Sequence, residues 1–172
     1  MKQLKILIIG KNSLTGSNLF DFLKKKYLAK IVNFEDKILN QLDQYDYIIN
    51  CSINQKYIQN KYEEKNDFDL KKIKRIKSTK TKFIFLSSRK IYLPAPNIKE
   101  NSKKNFINNY EKNKYITEEK IIELHKNKSA ILRISNLIGF KKNNSRKAHL
   151  TYLDYLLKTI SEGKIHDNEK KF

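Results

Sequence analysis

The sequence predicts an α/β domain in which a doubly wound, mostly parallel sheet carries helices on both faces. Along the 172 residues, short apolar runs alternate with longer segments of helical spacing. The strand runs are almost continuously apolar, which is typical of parallel strands covered on both faces. The chain also opens on a strand, a glycine-containing turn and an amphipathic helix, from Leu4 to Leu23, which is the start of a βαβ unit.

The elements follow one another in a regular order. Five apolar runs are predicted as strands: Leu4–Ile9, Lys30–Phe34, Asp46–Ser52, Lys82–Ser88 and Ser129–Ile134. Helices are predicted for the run with Leu19, Phe20, Phe22 and Leu23, the charged segment Lys61–Ile76, the long segment Ile107–His125, and Ala148–Ile160. A short amphipathic piece through Ile38, Leu39 and Leu42 connects the second and third strands. We expect residues 1–145 to form the main domain and 146–172 to form a terminal helix and a polar tail.

The turn from Gly10 to Gly16 is the first candidate binding element. The helix behind it begins at the turn, so its free N–H groups and positive dipole end face any anion placed there. A dinucleotide fingerprint has three glycines, and Ser13 stands in place of the middle one. An ordinary strand–loop–helix would give the same local pattern. The candidate cofactor-binding residues here are Gly10, Asn12, Ser13, Leu14, Thr15 and Gly16.

Two later strand ends supply further cofactor-binding candidates. Glu35 lies 19 residues after Gly16, where a carboxylate would hold the adenosine ribose hydroxyls and favour NAD over NADP. A solvated loop acid is the alternative for Glu35. The small or polar residues Asn50, Cys51 and Ser52 close the third predicted strand and leave room for a ligand to lie across it. Ser87-Ser88 and Ser135-Asn136 end the next two strands in the same way.

The reactive groups are expected on the long helix and the strand before it. Tyr110 and Lys114 are four residues apart, so they share one helix face, where the ammonium would lower the pKa of the phenol. Ser88 at the strand end could hydrogen-bond the substrate oxygen that receives the proton. Tyr57 and Lys61 have the same spacing, so spacing alone carries no weight. Position favours the second pair, and the catalytic candidates are Ser88, Tyr110 and Lys114.

Six ordered blocks resemble the extended short-chain dehydrogenases/reductases, specifically the NAD-dependent nucleotide-sugar epimerase/dehydratase group that includes the dTDP-4-dehydrorhamnose reductases. The family's opening corresponds to Gly10-Lys-Asn-Ser-Leu-Thr-Gly16 and its next strand end to Ile49-Asn50-Cys51-Ser52. The serine strand corresponds to Ser87-Ser88-Arg89-Lys90-Ile91-Tyr92. The remaining blocks are Glu100, Tyr110-x-x-x-Lys114 with Glu118-Glu119 behind it, and Leu132 to Gly139.

The resemblance implies a Rossmann-like fold and a set of roles. Tyr110 would be the general acid/base, and Lys114 would bind the nicotinamide ribose and lower the tyrosine pKa. Ser88 would orient the sugar keto or hydroxyl group. Arg89 and Lys90 stand where dehydratases of the group carry an acidic pair, which leaves 4-epimerisation or keto reduction.

The activity implied is NAD(P)-dependent hydride transfer on a nucleotide-sugar, in the synthesis of sugars for cell-surface polysaccharides. The cofactor is NAD or NADP, with NAD favoured, and no metal is implied. The alternatives are a catalytically silent Rossmann-fold binding module or truncated remnant and, from the charge alone, a basic nucleic-acid-associated protein. The family continues past residue 172 into a substrate-binding lobe, so a homodimer through the long helices or a partner that supplies the lobe is the expected protein contact.

Composition narrows the class of protein. The net charge is +19, but lysine supplies 33 of the 37 basic residues and is spread along the whole chain without a nucleic-acid-binding motif. A nucleic-acid partner is therefore not expected. The single cysteine, Cys51, fits a reducing cytoplasm, and the longest apolar runs are too short to predict a membrane span.

Overall fold

In the computed structural model, the structure describes residues 3–36, 40–125, 127–135 and 161–162. Within these ranges the strands are β1 (Lys5–Ile9), β2 (Leu28–Val32), β3 (Tyr47–Asn50), β4 (Lys82–Ser88) and β5 (Ser129–Ile134). The helices are α1 (Leu14–Leu23), α2 (Gln55–Gln59), α3 (Phe68–Ile73) and α4 (Asn109–His125), joined by short 3-10 turns at Leu42–Gln44, Glu64–Asn66 and Arg89–Ile91. None of the described helices is long and apolar enough to cross a membrane.

The described strands form one parallel sheet in the order β2-β1-β3-β4-β5. The chain runs from β1 outward to β2 and then returns to the other side of β1 for β3, so the order reverses between β1 and β3. In open parallel sheets such a reversal opens a crevice at the carboxyl ends of the strands. The predicted doubly wound α/β fold is confirmed.

Alternating strand residues build a core on each face of the sheet. On one face, Leu7, Ile48, Phe83 and Phe85 pack with Ile121 of α4 and with α3. On the other face, the fully buried Ile8 packs with its neighbours against the apolar stripe of α1. Because consecutive strand residues point to opposite faces, an almost continuous apolar run fills both cores.

The long helix α4 is fixed to the sheet by an ion pair whose carboxylate is buried. The side chain of Glu118 is fully buried, and the guanidinium of Arg133 on β5 donates to both of its oxygens at 2.6 to 3.2 Å. Arg133 also donates to the hydroxyl of Tyr92, which in turn donates to the carbonyl of Glu100 at 2.8 Å. This network fixes the loop after β4 beside the end of the sheet.

Two of the predicted elements differ most from the structure, while the third strand and the long helix are shorter than predicted by two or three residues. The second strand is Leu28–Val32 rather than Lys30–Phe34, because Phe34 leaves the strand and stacks on Phe68 with ring centroids 3.5 Å apart. The single helix predicted over Lys61–Ile76 is wrong. Asp67 accepts from the N–H of Leu70 and starts α3 there, after a 3-10 turn, and the helix ends at Ile73.

Candidate functional site

The glycine turn after β1 is tightly packed at both of its glycines, Gly10 and Gly16. Gly10 has φ +115°, and a Cβ there would lie 2.9 Å from the backbone of Cys51 and Ser52. A Cβ at Gly16 would lie 2.3 Å from the carbonyl oxygen of Gly10. Such distances leave no room for a side chain. The turn therefore folds tightly against the end of β3 and aims the start of α1 at the crevice.

Ser13 caps α1 instead of disturbing the turn. Its φ of −79° suits any L-residue, so the absence of a glycine there costs no backbone strain. Its side chain accepts from the N–H of Gly16 at 3.3 Å. The N–H groups of Leu14 and Thr15, in the first turn of α1, have no acceptor within the helix. These two donors remain for an anion, while Asn12 lies exposed beside them.

The end of β3 is held by side-chain hydrogen bonds. The carbonyl oxygen of Asn50 accepts from the N–H of Ser52 at 3.1 Å and from its hydroxyl at 2.6 Å. The N–H of Cys51 donates to Ile9 at 2.7 Å, so β3 stays paired with β1 up to the glycine turn. Burial raises the pKa of the Cys51 thiol to about 12, which keeps it neutral. The three residues therefore form a hydrogen-bonded, uncharged floor.

Glu35 lies in an exposed turn three residues after the end of β2. It is at the same edge of the sheet as the glycine turn, because β1 and β2 are parallel neighbours. Phe34 beside it is stacked on Phe68, and the ammonium of Lys72 lies 4.2 Å from the Phe34 ring centroid. These contacts position the backbone that presents Glu35.

Ser88 and Tyr110 meet at the end of β4. Ser88 is the last residue of the strand, and its hydroxyl accepts from the N–H of Lys90 at 3.2 Å. The hydroxyl of Tyr110 lies close enough to Ser88 for the two side chains to interact. Burial raises the pKa of Tyr110, and the neighbouring Ser88 hydroxyl acts in the opposite direction. The expectation of a lowered pKa is wrong for this arrangement, and the phenol is neutral at pH 7.

The start of α4 is capped in a way that fixes Tyr110. Asn108 accepts from the N–H of Glu111 at 3.1 Å, and Glu111 accepts from the N–H of Ile107 at 2.6 Å. This reciprocal arrangement satisfies N–H groups that have no acceptor within the helix. Tyr110 lies between the two capping residues, so its backbone is held on both sides.

Lys114 is buried one turn further along α4. Its ammonium donates to the carbonyl of Leu86 at 2.8 Å and lies 4.4 Å from the ring centroid of Phe85. The carboxylate of Asp69 is 3.8 Å away. The structure thus brings Ser88, Tyr110 and Lys114 to the same edge as the glycine turn.

Sequence reasoning missed Asp69. It is 95% buried on α3, and Asn50 donates to its carboxylate at 2.9 Å. Burial raises the pKa of Asp69 to about 7, against the lowering effect of Lys114. No local motif marks this contact, since Asp69 and Lys114 are far apart in the sequence. The one available signal is that Asp69 lies at helical spacing with the apolar Ile73 and Ile76.

Of the second pair with this spacing, Tyr57 and Lys61, the tyrosine has a structural role. Tyr57 is buried, and its hydroxyl shares a 2.7 Å hydrogen bond with Thr117 of α4. Lys61 is exposed. Asn136 and the rest of the block up to Gly139, together with the predicted helix Ala148–Ile160, lie outside the described residues.

The residues at this edge fit a dinucleotide. The two donors of α1 suit a pyrophosphate, and the closely packed glycines keep side chains out of its path. The neutral floor of β3 leads from there to Ser88, Tyr110 and Lys114. The donor set at that far end suits a ribose and a substrate oxygen.

Solved structures with the same fold include nucleotide-sugar enzymes. UDP-N-acetylglucosamine 4-epimerase from Methanobrevibacter ruminantium, in complex with UDP-N-acetylmuramic acid, matches with a TM-score of 0.71 at 20% identity, over 95% of this chain and 64% of that one. UDP-glucuronic acid 4-epimerase from Bacillus cereus with NAD gives 0.69 at 17%, over 94% and 63%. A dTDP-4-dehydrorhamnose reductase from Bacillus anthracis with NADP gives 0.66 at 21%, over 94% and 61%.

This chain has their fold. The resemblance seen in the sequence blocks is confirmed at that level, and the chain spans slightly less than two thirds of the length of these structures. No protein-family model and no curated protein sequence matches the chain.

Proposed function

We propose that this chain binds NAD or NADP across the carboxyl edge of its sheet and acts on a nucleotide-sugar, as a 4-epimerase or a keto reductase. The observation that carries the proposal is the proximity of the Ser88 and Tyr110 hydroxyls, with Lys114 one helical turn away, at the same sheet edge as the glycine turn. The named activities of the structures that share the fold support the same substrate class. A role in making cell-surface polysaccharide sugars is part of this proposal.

The glycine turn, Glu35 and the end of β3 would hold the cofactor. The N–H groups of Leu14 and Thr15 would bind its pyrophosphate, and Glu35 would accept from its adenosine ribose, which favours NAD over NADP. Lys114 would donate to the other ribose. When bound, such a cofactor supplies or accepts a hydride at a carbon of the substrate.

Tyr110 would move the proton that balances this transfer. Its pKa is raised, so the phenol holds its proton at pH 7 and can give it to a sugar oxygen as negative charge develops there. Ser88 would hydrogen-bond the same oxygen and orient it toward the phenol. The charge of Lys114 would stabilise the phenolate left behind.

The residues after Ser88 favour epimerisation or reduction over dehydration. Arg89 and Lys90 are both exposed at the loop after β4 and carry positive charge. Loss of water from a sugar needs an acid and a base beside the reacting carbons, and neither residue supplies a carboxyl group. The substrate tests are therefore epimerisation and keto reduction.

Tyr110→Phe tests the catalytic assignment. We expect turnover to fall about 10²–10⁴-fold, the usual contribution of a positioned acid or base. The affinity for NADH, measured by fluorescence titration, should change little because the ring remains. The assays are epimerisation of UDP-N-acetylglucosamine, followed by separation of the two epimers, and oxidation of NADH with a 4-keto nucleotide-sugar.

Tyr57→Phe is the matched control, since Tyr57 is also followed by a lysine four residues later and is buried more deeply. It should lower stability by about 1 kcal/mol through the lost hydrogen bond to Thr117 and leave turnover unchanged. Equal rates for the wild type and Tyr110→Phe would remove Tyr110 from the mechanism. Failure to bind millimolar NADH or NADPH would reject the proposed function.

A second candidate is a module that binds the dinucleotide without turning over a substrate. The observation that favours it is the pairing of Lys114 with Asp69, which offsets the positive charge beside Tyr110. Its signature would be NADH binding by the wild type with no epimerisation or reduction of any nucleotide-sugar offered.

A further inference from the structure

Asp69 joins the two halves of the candidate site. One carboxylate oxygen accepts from Asn50 at 2.9 Å, and Asn50 in turn holds Ser52 at the cofactor end. The other oxygen lies 3.8 Å from the ammonium of Lys114 at the reactive end. One buried side chain thus contacts both elements.

We propose that Asp69 is a positioning residue, whose carboxylate balances the charge of Lys114 and holds its ammonium where it meets the cofactor ribose. This inference rests on the proposed function. It assigns to Asp69 no contact with the substrate or the cofactor. Its effect passes through Lys114 and, at the other end, through Asn50.

The surroundings of Lys114 explain why a carboxylate is needed. Its side chain is 93% buried, against the rings of Phe85 and Tyr57 and the carbonyl of Leu86. The rings and the carbonyl attract the ammonium but carry no negative charge. Removing one partner from a buried pair leaves an uncompensated charge, which is strongly unfavourable. Asp69 is the carboxylate that the described residues place within 4 Å of this ammonium.

The neighbouring aspartate on α3 has a different role. Asp67 accepts from the N–H of Leu70 and from the hydroxyls of Tyr62 and Thr117. These contacts start the helix and bind it to α4. Asp69 lies inside the helix and caps nothing, so its burial beside Lys114 has no equivalent structural explanation.

The carboxylate can lose its charge within the accessible pH range, because burial raises its pKa to about 7. The titratable groups that face it come from every element packed around it: Asp67 on α3, Cys51 after β3, Tyr57 on α2, and Tyr110 and Lys114 on α4. Cys51, Tyr57 and Tyr110 all have raised pKa values and stay neutral near pH 7. The pKa of Asp69 therefore differs from those of these three neighbours in lying near pH 7.

The test compares the wild type with Asp69→Asn, which mimics the protonated acid in shape and charge. The dissociation constant for NADH alone is measured by fluorescence titration from pH 5.5 to 8.5. Below pH 6 the two proteins should bind equally. Above pH 7.5 the variant should bind about tenfold more weakly, the usual value of one charge-assisted contact. The wild type alone should lose affinity as the pH falls through about 7, and that measurement needs no variant.

Asp67→Asn is the matched control, and Asp69→Glu is the conservative variant. Asp67→Asn should lower the melting temperature and keep a pH-dependent affinity for NADH, with its midpoint moved to lower pH because the charge of Asp67 helps to raise the pKa of Asp69. Asp69→Glu should restore part of that dependence. If the dissociation constant of Asp69→Asn for NADH differs from that of the wild type by the same factor at every pH, the effect is one of packing. That result overturns the inference. If the wild type binds no NADH at any pH, the proposed function itself fails, so the two failures are distinct.

Discussion

Gly16→Ala tests the packing of the glycine turn directly. The added Cβ would lie 2.3 Å from the carbonyl oxygen of Gly10 and 3.3 Å from the Cβ of Cys51. The closest atom belongs to the backbone and cannot rotate away. Overpacking of this kind costs roughly 1–3 kcal/mol, and a backbone contact places the cost near 3. Alanine recovers about 1 kcal/mol through its better helix propensity.

We therefore expect a net loss of about 2 kcal/mol in the free energy of unfolding, equivalent to a fall of about 4–8 °C in melting temperature for a chain of this size. The assay is urea unfolding followed by circular dichroism, with an NADH titration on the folded protein. The affinity for NADH should also fall, because relieving the contact moves the turn away from the start of α1. Both changes have one cause and should appear together.

Ser17→Ala is the control, since it places an alanine in the same helix one residue later. Its hydroxyl donates to the carbonyl of Leu14 within the helix, at 3.2 Å, so its loss should change stability by no more than about 0.5 kcal/mol. If Gly16→Ala were as stable as the wild type, or more stable, the gain in helix propensity would outweigh the cost of the contact. That result would contradict the close approach of the turn to α1.

Two further substitutions test other contacts. Glu118→Gln removes the fully buried carboxylate that pairs with the part-buried Arg133 and should cost about 1.5–3 kcal/mol by urea unfolding. Asp21→Asn, in a more exposed pair with Lys24, should cost less than about 1 kcal/mol, and similar costs for both would contradict the burial of Glu118. Ser13→Ala removes the cap of α1 and should cost about 1 kcal/mol, against a few tenths for Ser13→Gly, and equal stability of all three proteins would show that the hydroxyl of Ser13 caps nothing.

The strands were predictable where local signals agreed. β4 and β5 have the predicted bounds, because each is an apolar run closed by polar residues at both ends. The predicted bounds of β2 lie two residues too late in the chain. Phe34 is a residue type that favours strands, but its ring stacks on Phe68 instead of continuing the strand. The stack joins residues 34 positions apart, and no local pattern carries that information.

For the candidate site, the sequence predicted which residues lie near one another but not the direction of their pKa shifts. Ser88, Tyr110 and Lys114 follow from their places after β4 and on α4, and the structure brings them together. The direction of the Tyr110 pKa shift depends on burial, which sequence spacing does not reveal. The helical spacing of Tyr110 and Lys114 was correct. The ammonium nevertheless has other partners, the carbonyl of Leu86 and the carboxylate of Asp69.

A chain of contacts runs through the whole candidate site. Gly10 packs on the backbone of Ser52, whose hydroxyl and N–H are held by Asn50. Asn50 holds Asp69, and Asp69 faces Lys114. The tight turn that aims α1 and the lysine that would meet the cofactor ribose are thus parts of one hydrogen-bonded and packed unit. Because these links are buried or part-buried, the spacing between the pyrophosphate end and the reactive end is set by the sheet itself, and β3 is the strand that connects them.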